Sequence, residues 1–211
     1  MHYKKIYPLT TDIKTVEDFE KHFETYYFDK YTKYHNIFVI VNYDKNRISE
    51  SINKLMDIVD KNNGYIAGGY VAHLIHGSYY NDIDIICDHI DDYSQIVRAL
   101  MYTNYKLVNK YGDSYHYSKL GIIKMVYLTL DTLNINLILT SVEKYHPDNF
   151  NIYTHFDMDG LMFKLSNKII STDSFEVGDK IDDILNKKWR VINSKVSSEE
   201  RIEKYLSLIH I

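Results

Sequence analysis

The sequence predicts an α/β domain of the α+β kind, on three observations. Short apolar runs of strand length alternate with amphipathic helical patterns through the first half of the chain. Two longer strand-like runs follow at 122–130 and 133–139, with Asp131 and Thr132 between them as a two-residue hairpin turn. The last third, 146–211, changes character and reads as a small extension of short strands and helices.

Taken in order, residues 1–14 form an extended lead-in. Thr15 then caps a helix that carries Phe19, His22, Phe23 and Tyr26. Residues 37–41 are a continuous apolar run, the pattern of a buried strand. Ser49 caps a second helix, whose Ile52, Leu55, Met56 and Val59 repeat on one face until Asn63 and Gly64 stop it. Residues 65–67 are a strand, 70–76 a short helix closed by Gly77, and 81–86 a strand. Ile96 and Leu100 mark a helix over 91–104. In the extension, 156–163 and 168–170 read as short strands or loop-bound pieces, and 179–185 as a helix. Ser197 to Glu200 form a capping box before a terminal amphipathic helix with Ile202, Tyr205, Leu206 and Ile209. The division that follows is a helix and strand over 1–48 packed on a core of 49–145, then the extension, all in one compact unit.

Composition bounds the function classes. Apolar residues at 45% provide for a real core in 211 residues, and no apolar run is long enough to span a bilayer. The single cysteine, Cys87, excludes an internal disulfide and a cysteine-based zinc site, and fits a reducing, cytoplasmic setting. With 25 basic and 29 acidic residues the net charge is −4, so a nucleic-acid partner would have to be held by a local patch. The 21 tyrosines, with abundant Ile, Lys and Asn, suggest an AT-rich genome.

The chemistry concentrates in Ala67-Gly68-Gly69-Tyr70 and, after a short helix, Asn81-Asp82-Ile83-Asp84. Glycines between a strand and a helix let the backbone approach a phosphate chain, whose charge then meets the positive helix N-terminus. Carboxylates at i and i+2 of a strand point to one face, where they can converge on a divalent cation. A Gly-Gly alone is commonly only a tight turn, and an Asp-x-Asp alone a solvated face. Their combination across one short helix is much more specific.

These residues resemble the Gly-Gly … Asp-hydrophobic-Asp signature of the polymerase-β-type nucleotidyltransferase superfamily. The stretch Ala67–Ala72 with Asp82-Ile83-Asp84 is especially similar to its poly(A) polymerase and CCA-adding branch. Small nucleotidyltransferase-like proteins of large DNA viruses and phages resemble it too, through Phe156-Asp157 and Arg201-Ile202-Glu203-Lys204-Tyr205. The resemblance implies a nucleotidyltransferase-like twisted mixed sheet flanked by helices. It implies a metal-dependent transfer of a nucleoside monophosphate from an NTP to a hydroxyl of RNA (tRNA included), a protein or a small molecule. Gly68, Gly69 and Tyr70 would bind the nucleotide, and Asp82 and Asp84 would bind Mg²⁺ or Mn²⁺. A viral member would work in the host cytoplasm or the virion.

One departure matters. The resemblance implies a third carboxylate on a neighbouring strand, yet the best-matching segment, 133–138, offers Asn134 and Asn136. An amide can ligate a cation but cannot act as a base, and base assistance is typically worth about 10²–10⁴-fold. Asp131, Asp157 or Asp159 would have to fill the role, or the chain is a catalytically degenerate binding or structural module with Asn136 in the site. His73 and His76 share a helical face without the companions of a zinc motif. Lys187-Lys188-Trp189-Arg190 is read either as a nucleic-acid contact or as a solvated turn over a packed Trp. Arg201 and Lys204 are read as reaching a phosphate or an acidic groove, or as pairing with Glu200 or Glu203.

Overall fold

The computed structural model describes residues 3–6, 38–112, 122–140, 156–172, 174, 177–178, 180–192, 199–200 and 202–203. The helix expected over 15–26 lies outside these residues, as do Ser197, Arg201, Lys204 and Tyr205 of the expected terminal helix.

The elements are β1 (Tyr3–Ile6), β2 (Phe38–Val41), α1 (Glu50–Lys61), β3 (Tyr65–Ala67) and α2 (Gly69–His76). Then come β4 (Ile83–Cys87), α3 (Ile90–Tyr102), β5 (Lys106–Gly112), β6 (Ile122–Leu130) and β7 (Leu133–Thr140). The chain continues with β8 (Lys164–Ser166), β9 (Ile169–Thr172) and α4 (Ile181–Leu185). Among the described residues the strands form one nine-stranded mixed sheet in the order β1-β2-β9-β8-β3-β4-β7-β6-β5. Every neighbour pair is antiparallel except β4 and β7.

Local chemistry sets the boundaries. The Ser49 hydroxyl accepts from the Ile52 N–H at the start of α1, the capping predicted from sequence. The stop is taken by Asn63, at φ 54°, rather than by Gly64. Asn63 is among the few residues that tolerate the left-handed region. Gly77 closes α2 at φ 75°, donating to the His73 carbonyl. Asn167 and Lys168, at φ 49° and 61°, make the two-residue turn between β8 and β9. That turn is pinned to α1, because the Asn167 N–H donates to Asp60 and the Lys168 ammonium pairs with Asp57.

Strand parity divides the sheet into two faces. Ile66, Ile83, Ile85, Ile135, Leu137 and Leu165 belong to one buried cluster with Ile52, Leu55, Met56 and Val59 of α1 and Ile96 and Leu100 of α3. Full burial of each such side chain stabilises the fold by roughly 1.5–3 kcal/mol. The opposite face carries a smaller cluster of Tyr65, Ala67, Ile86 and Ile138, with Phe156 packed against it. Of the two readings of 156–163 the loop-bound one holds: Asp159–Leu161 is a 3₁₀ turn, with one bridge from Met158 to Val191. One expectation needs correction. Asp82 lies just before the first residue of β4 rather than within it. No described helix is long and apolar enough to cross a membrane.

Candidate active site

The candidate corner is built where β3 hands over to α2 and where β4 runs beside β7. Gly68 adopts φ 72° and ψ −142°, a region essentially reserved for glycine. A Cβ on Gly68 would meet the Asp84 carboxylate oxygen Oδ2 at 2.8 Å. Glycine is therefore required twice, by backbone conformation and by the closeness of that carboxylate. Directly after this turn α2 begins at Gly69 with no side-chain cap, so its first N–H groups are the donors a phosphate would meet.

Register then brings the polar side chains together. Ala67 lies opposite Asp84, and Asp84 opposite Asn136. The Asn136 amide nitrogen donates to Asp82 Oδ2 and to Asp84 Oδ1, both at 2.9 Å. One NH₂ group thus uses both of its protons on two carboxylates. Bonds of this charge-assisted kind are about twice as strong as neutral ones, and they offset part of the repulsion between the aspartates.

The pair fits a divalent cation in the manner of Mg²⁺, which is commonly held by one or two carboxylates together with substrate phosphates and water. Rotation of the Asn136 amide presents its carbonyl oxygen at the same place as a neutral ligand. The other carboxylate candidates sit in different local settings. Asp159 is fully buried and pairs with Arg190 through both its backbone N–H and its guanidinium Nε, each at 2.8 Å. Asp131 sits in the β6–β7 turn at φ 52°. Asp157 is buried beside Ile192, whose N–H donates to its carbonyl. Among the described residues no group of three or more His, Cys, Asp or Glu is placed to hold a metal.

The remaining sequence candidates separate. Tyr70 is fully buried, edge-on to Tyr80 at 4.9 Å between ring centroids, so its ring is not exposed to a ligand. Trp189 packs beneath the basic segment, against His76 at 5.3 Å. Lys188 pairs with Asp183, and Arg190 with Asp159. Sequence reading missed Lys164, which lies opposite Ala67 and hence on the same face as Asp84 and Asn136. Its ammonium sits 5.8 Å from the centre of the Tyr65 ring. No local signal marks it, because the pairing of β8 with β3 joins segments nearly 100 residues apart.

The chain shares its fold with solved CCA-adding enzymes. An apo form of such an enzyme superposes with a TM-score of 0.52 at 18% identity, over 72% of this chain and 35% of that one. A CTP complex gives 0.50 at 18% identity, over 72% and 36%. An ATP complex gives 0.50 at 18% identity, over 76% and 39%. This chain thus spans little more than a third of the length of those enzymes. No family model matches the sequence, and no curated protein matches it.

Proposed function

We propose that this chain is a metal-dependent nucleotidyltransferase, moving a nucleoside monophosphate from an NTP to a hydroxyl of RNA, a protein or a small molecule. The observation that carries the reading is the corner itself. A glycine-only turn opens a helix N-terminus directly over Asp84, and Asp84 and Asp82 are held side by side by Asn136. The shared fold of the CTP- and ATP-bound CCA-adding enzymes supports it. Membership of the polymerase-β-type superfamily belongs to the same proposal.

In this reading the N–H groups of Gly69 and Tyr70 hold the phosphates, and Asp82 and Asp84 hold Mg²⁺ or Mn²⁺. The cation supplies charge neutralisation at the phosphates. Lys164 adds positive charge from the other side of Ala67. The acceptor oxygen forms a bond to the α-phosphorus as the bond to pyrophosphate breaks. The hydroxyl proton passes to one of the two aspartates, since Asn136 cannot serve as a base.

Asn136 also favours a second reading, a nucleotide-binding or structural module without turnover, such as a virus or phage would use. Incubation with α-labelled NTPs, Mg²⁺ or Mn²⁺, and cellular RNA and protein separates the two. Transfer predicts a labelled acceptor that Asp82→Asn abolishes. Equal labelling by wild type and variant sinks the catalytic claim, whereas nucleotide binding lost in Asp82→Asn with no labelling by wild type selects the module.

A further inference from the structure

The side of α3 turned away from the core is unusually apolar for a solvated helix. Tyr93, Ile96 and Leu100 pack inward. Outward, Ile90, Met101 and Tyr102 are 49%, 52% and 88% exposed, and the exposed Leu107 and Val108 follow at the start of β5. These are five of the eight large apolar side chains that are exposed among the described residues. Single exposed apolar groups are ordinary, but a concentration of them marks a contact surface.

A groove of about 510 Å³ lies beside this face, between α1 and α3, lined in part by Asp57, Ile58, Lys61, Arg98, Ala99 and Tyr102. Ile58 and Ala99 are half-buried, whereas Lys61 and Arg98 are exposed. Asp57 is already paired with Lys168, at 3.3 Å. Lys61 and Arg98 make no ion pair among the described residues. The groove therefore offers apolar contact beside two unneutralised cations. An apolar side chain next to an acidic one complements it.

The other end of α3 carries that combination. Ile90 opens the helix, and Asp91 follows it, exposed and in no ion pair among the described residues. Asp91, Gln95, Arg98 and Tyr102 are spaced i, i+4, i+7 and i+11, so they share one stripe of the helix. Two copies of α3 laid antiparallel, about a dyad between Ser94 and Gln95, set position 91 against 98 and position 90 against 99. The acidic end of each helix then meets the cationic end of the other, and each Ile90 meets the Ile58–Ala99 part of the groove. Such self-complementarity under a two-fold rotation is what an isologous interface requires. The sheet leaves room for it. Ile83 and Ile85 belong to the core on the helix side, so Asp84 between them lies on the opposite face. Both corners would stay open.

We propose that this face of α3 is the interface of a two-fold symmetric dimer of the chain, with Asp91 of each copy paired to Arg98 of the other. The test is sedimentation equilibrium of the full chain from about 5 µM to 0.5 mM, with thermal unfolding as the check on folding. Wild type should reach twice the mass of the single chain. Asp91→Arg and Arg98→Asp each turn two attractions into two repulsions, and each should weaken the dimer about ten-fold or more. The double variant Asp91→Arg/Arg98→Asp restores both pairs with their signs exchanged and should recover most of the lost affinity. Ile90→Ser, at a half-exposed side chain, should weaken the dimer by about ten-fold as well. It decides the matter if a charge reversal lowers the unfolding midpoint. Wild type that stays monomeric throughout assigns the face to another occupant and overturns the proposal. So do well-folded reversals or an Ile90→Ser variant that dimerise as wild type does, and so does a double variant no tighter than the single ones.

Discussion

At Asn136 a single nitrogen sits where a cation would otherwise hold Asp82 and Asp84 together. A carboxylate there would reverse the local electrostatics without changing size. Asn136→Asp is expected to cost roughly 1–3 kcal/mol in metal-free buffer, because three like charges would share the site and two hydrogen bonds would be lost. Added Mg²⁺ should restore that stability and raise any transfer rate, since a third ligand and a base are then present. Thermal unfolding with chelator and with Mg²⁺ measures both halves. A variant as stable as wild type in chelator, and indifferent to Mg²⁺, would show that Asn136 does not face the pair. The glycines and aspartates were legible from their types and spacing. The consequence of Asn136 was legible only as a missing charge. That its amide bridges both carboxylates depends on the β4–β7 register, which local sequence does not encode.

Among the elements, the 3₁₀ turn packs closely against the segment that follows α4. A Cβ on Gly160 would lie 2.2 Å from the Trp189 ring, far inside van der Waals contact. Gly160→Ala must therefore expel the ring, at a cost of about 1–3 kcal/mol for overpacking. Trp189 is the chain's one tryptophan, so its emission reports directly on the site. The expected result is a red-shifted spectrum and an earlier urea midpoint; an unshifted spectrum would mean that the ring has room to move aside. The central elements read well from sequence because their caps and periods are local: Ser49, the α1 stripe, Gly77 and the β6–β7 hairpin. Residues 156–163 left strand and loop both open, because their apolar side chains are buried by tertiary contact rather than by strand pairing. β5 escaped notice for a related reason. Among the described residues it is an edge strand, and its Leu107 and Val108 are exposed, so they give no signal of a buried face.

For the molecule as a whole, stability carries a pH signature centred on His76. The ring is buried against Trp189, with neither nitrogen hydrogen-bonded among the described residues. Burial, and then the nearby Lys187 and Arg47 charges, push its pKa down from 6.5 to about 4. The unfolded chain therefore binds a proton between about pH 6.5 and 4 that the folded chain does not. Stability contributed by the neutral ring is complete above pH 6.5 and is lost as pH falls through that window, on the order of 3 kcal/mol in all. Urea titrations from pH 8 to 4 should show this slope, and His76→Gln should flatten it. Unchanged slopes in the variant would assign the acid sensitivity to other groups.

The parallel pairing of β4 with β7 has one more consequence. Side chains alternate between faces, so a slip of one residue would turn Asn136 toward the helices and set Ile135 or Leu137 against the aspartates. An apolar neighbour can neither bridge two carboxylates nor share a cation with them. A bound nucleotide and its metal would therefore reward only one alignment of the sheet, and their presence during refolding would act as a gauge that selects the native register over its neighbours.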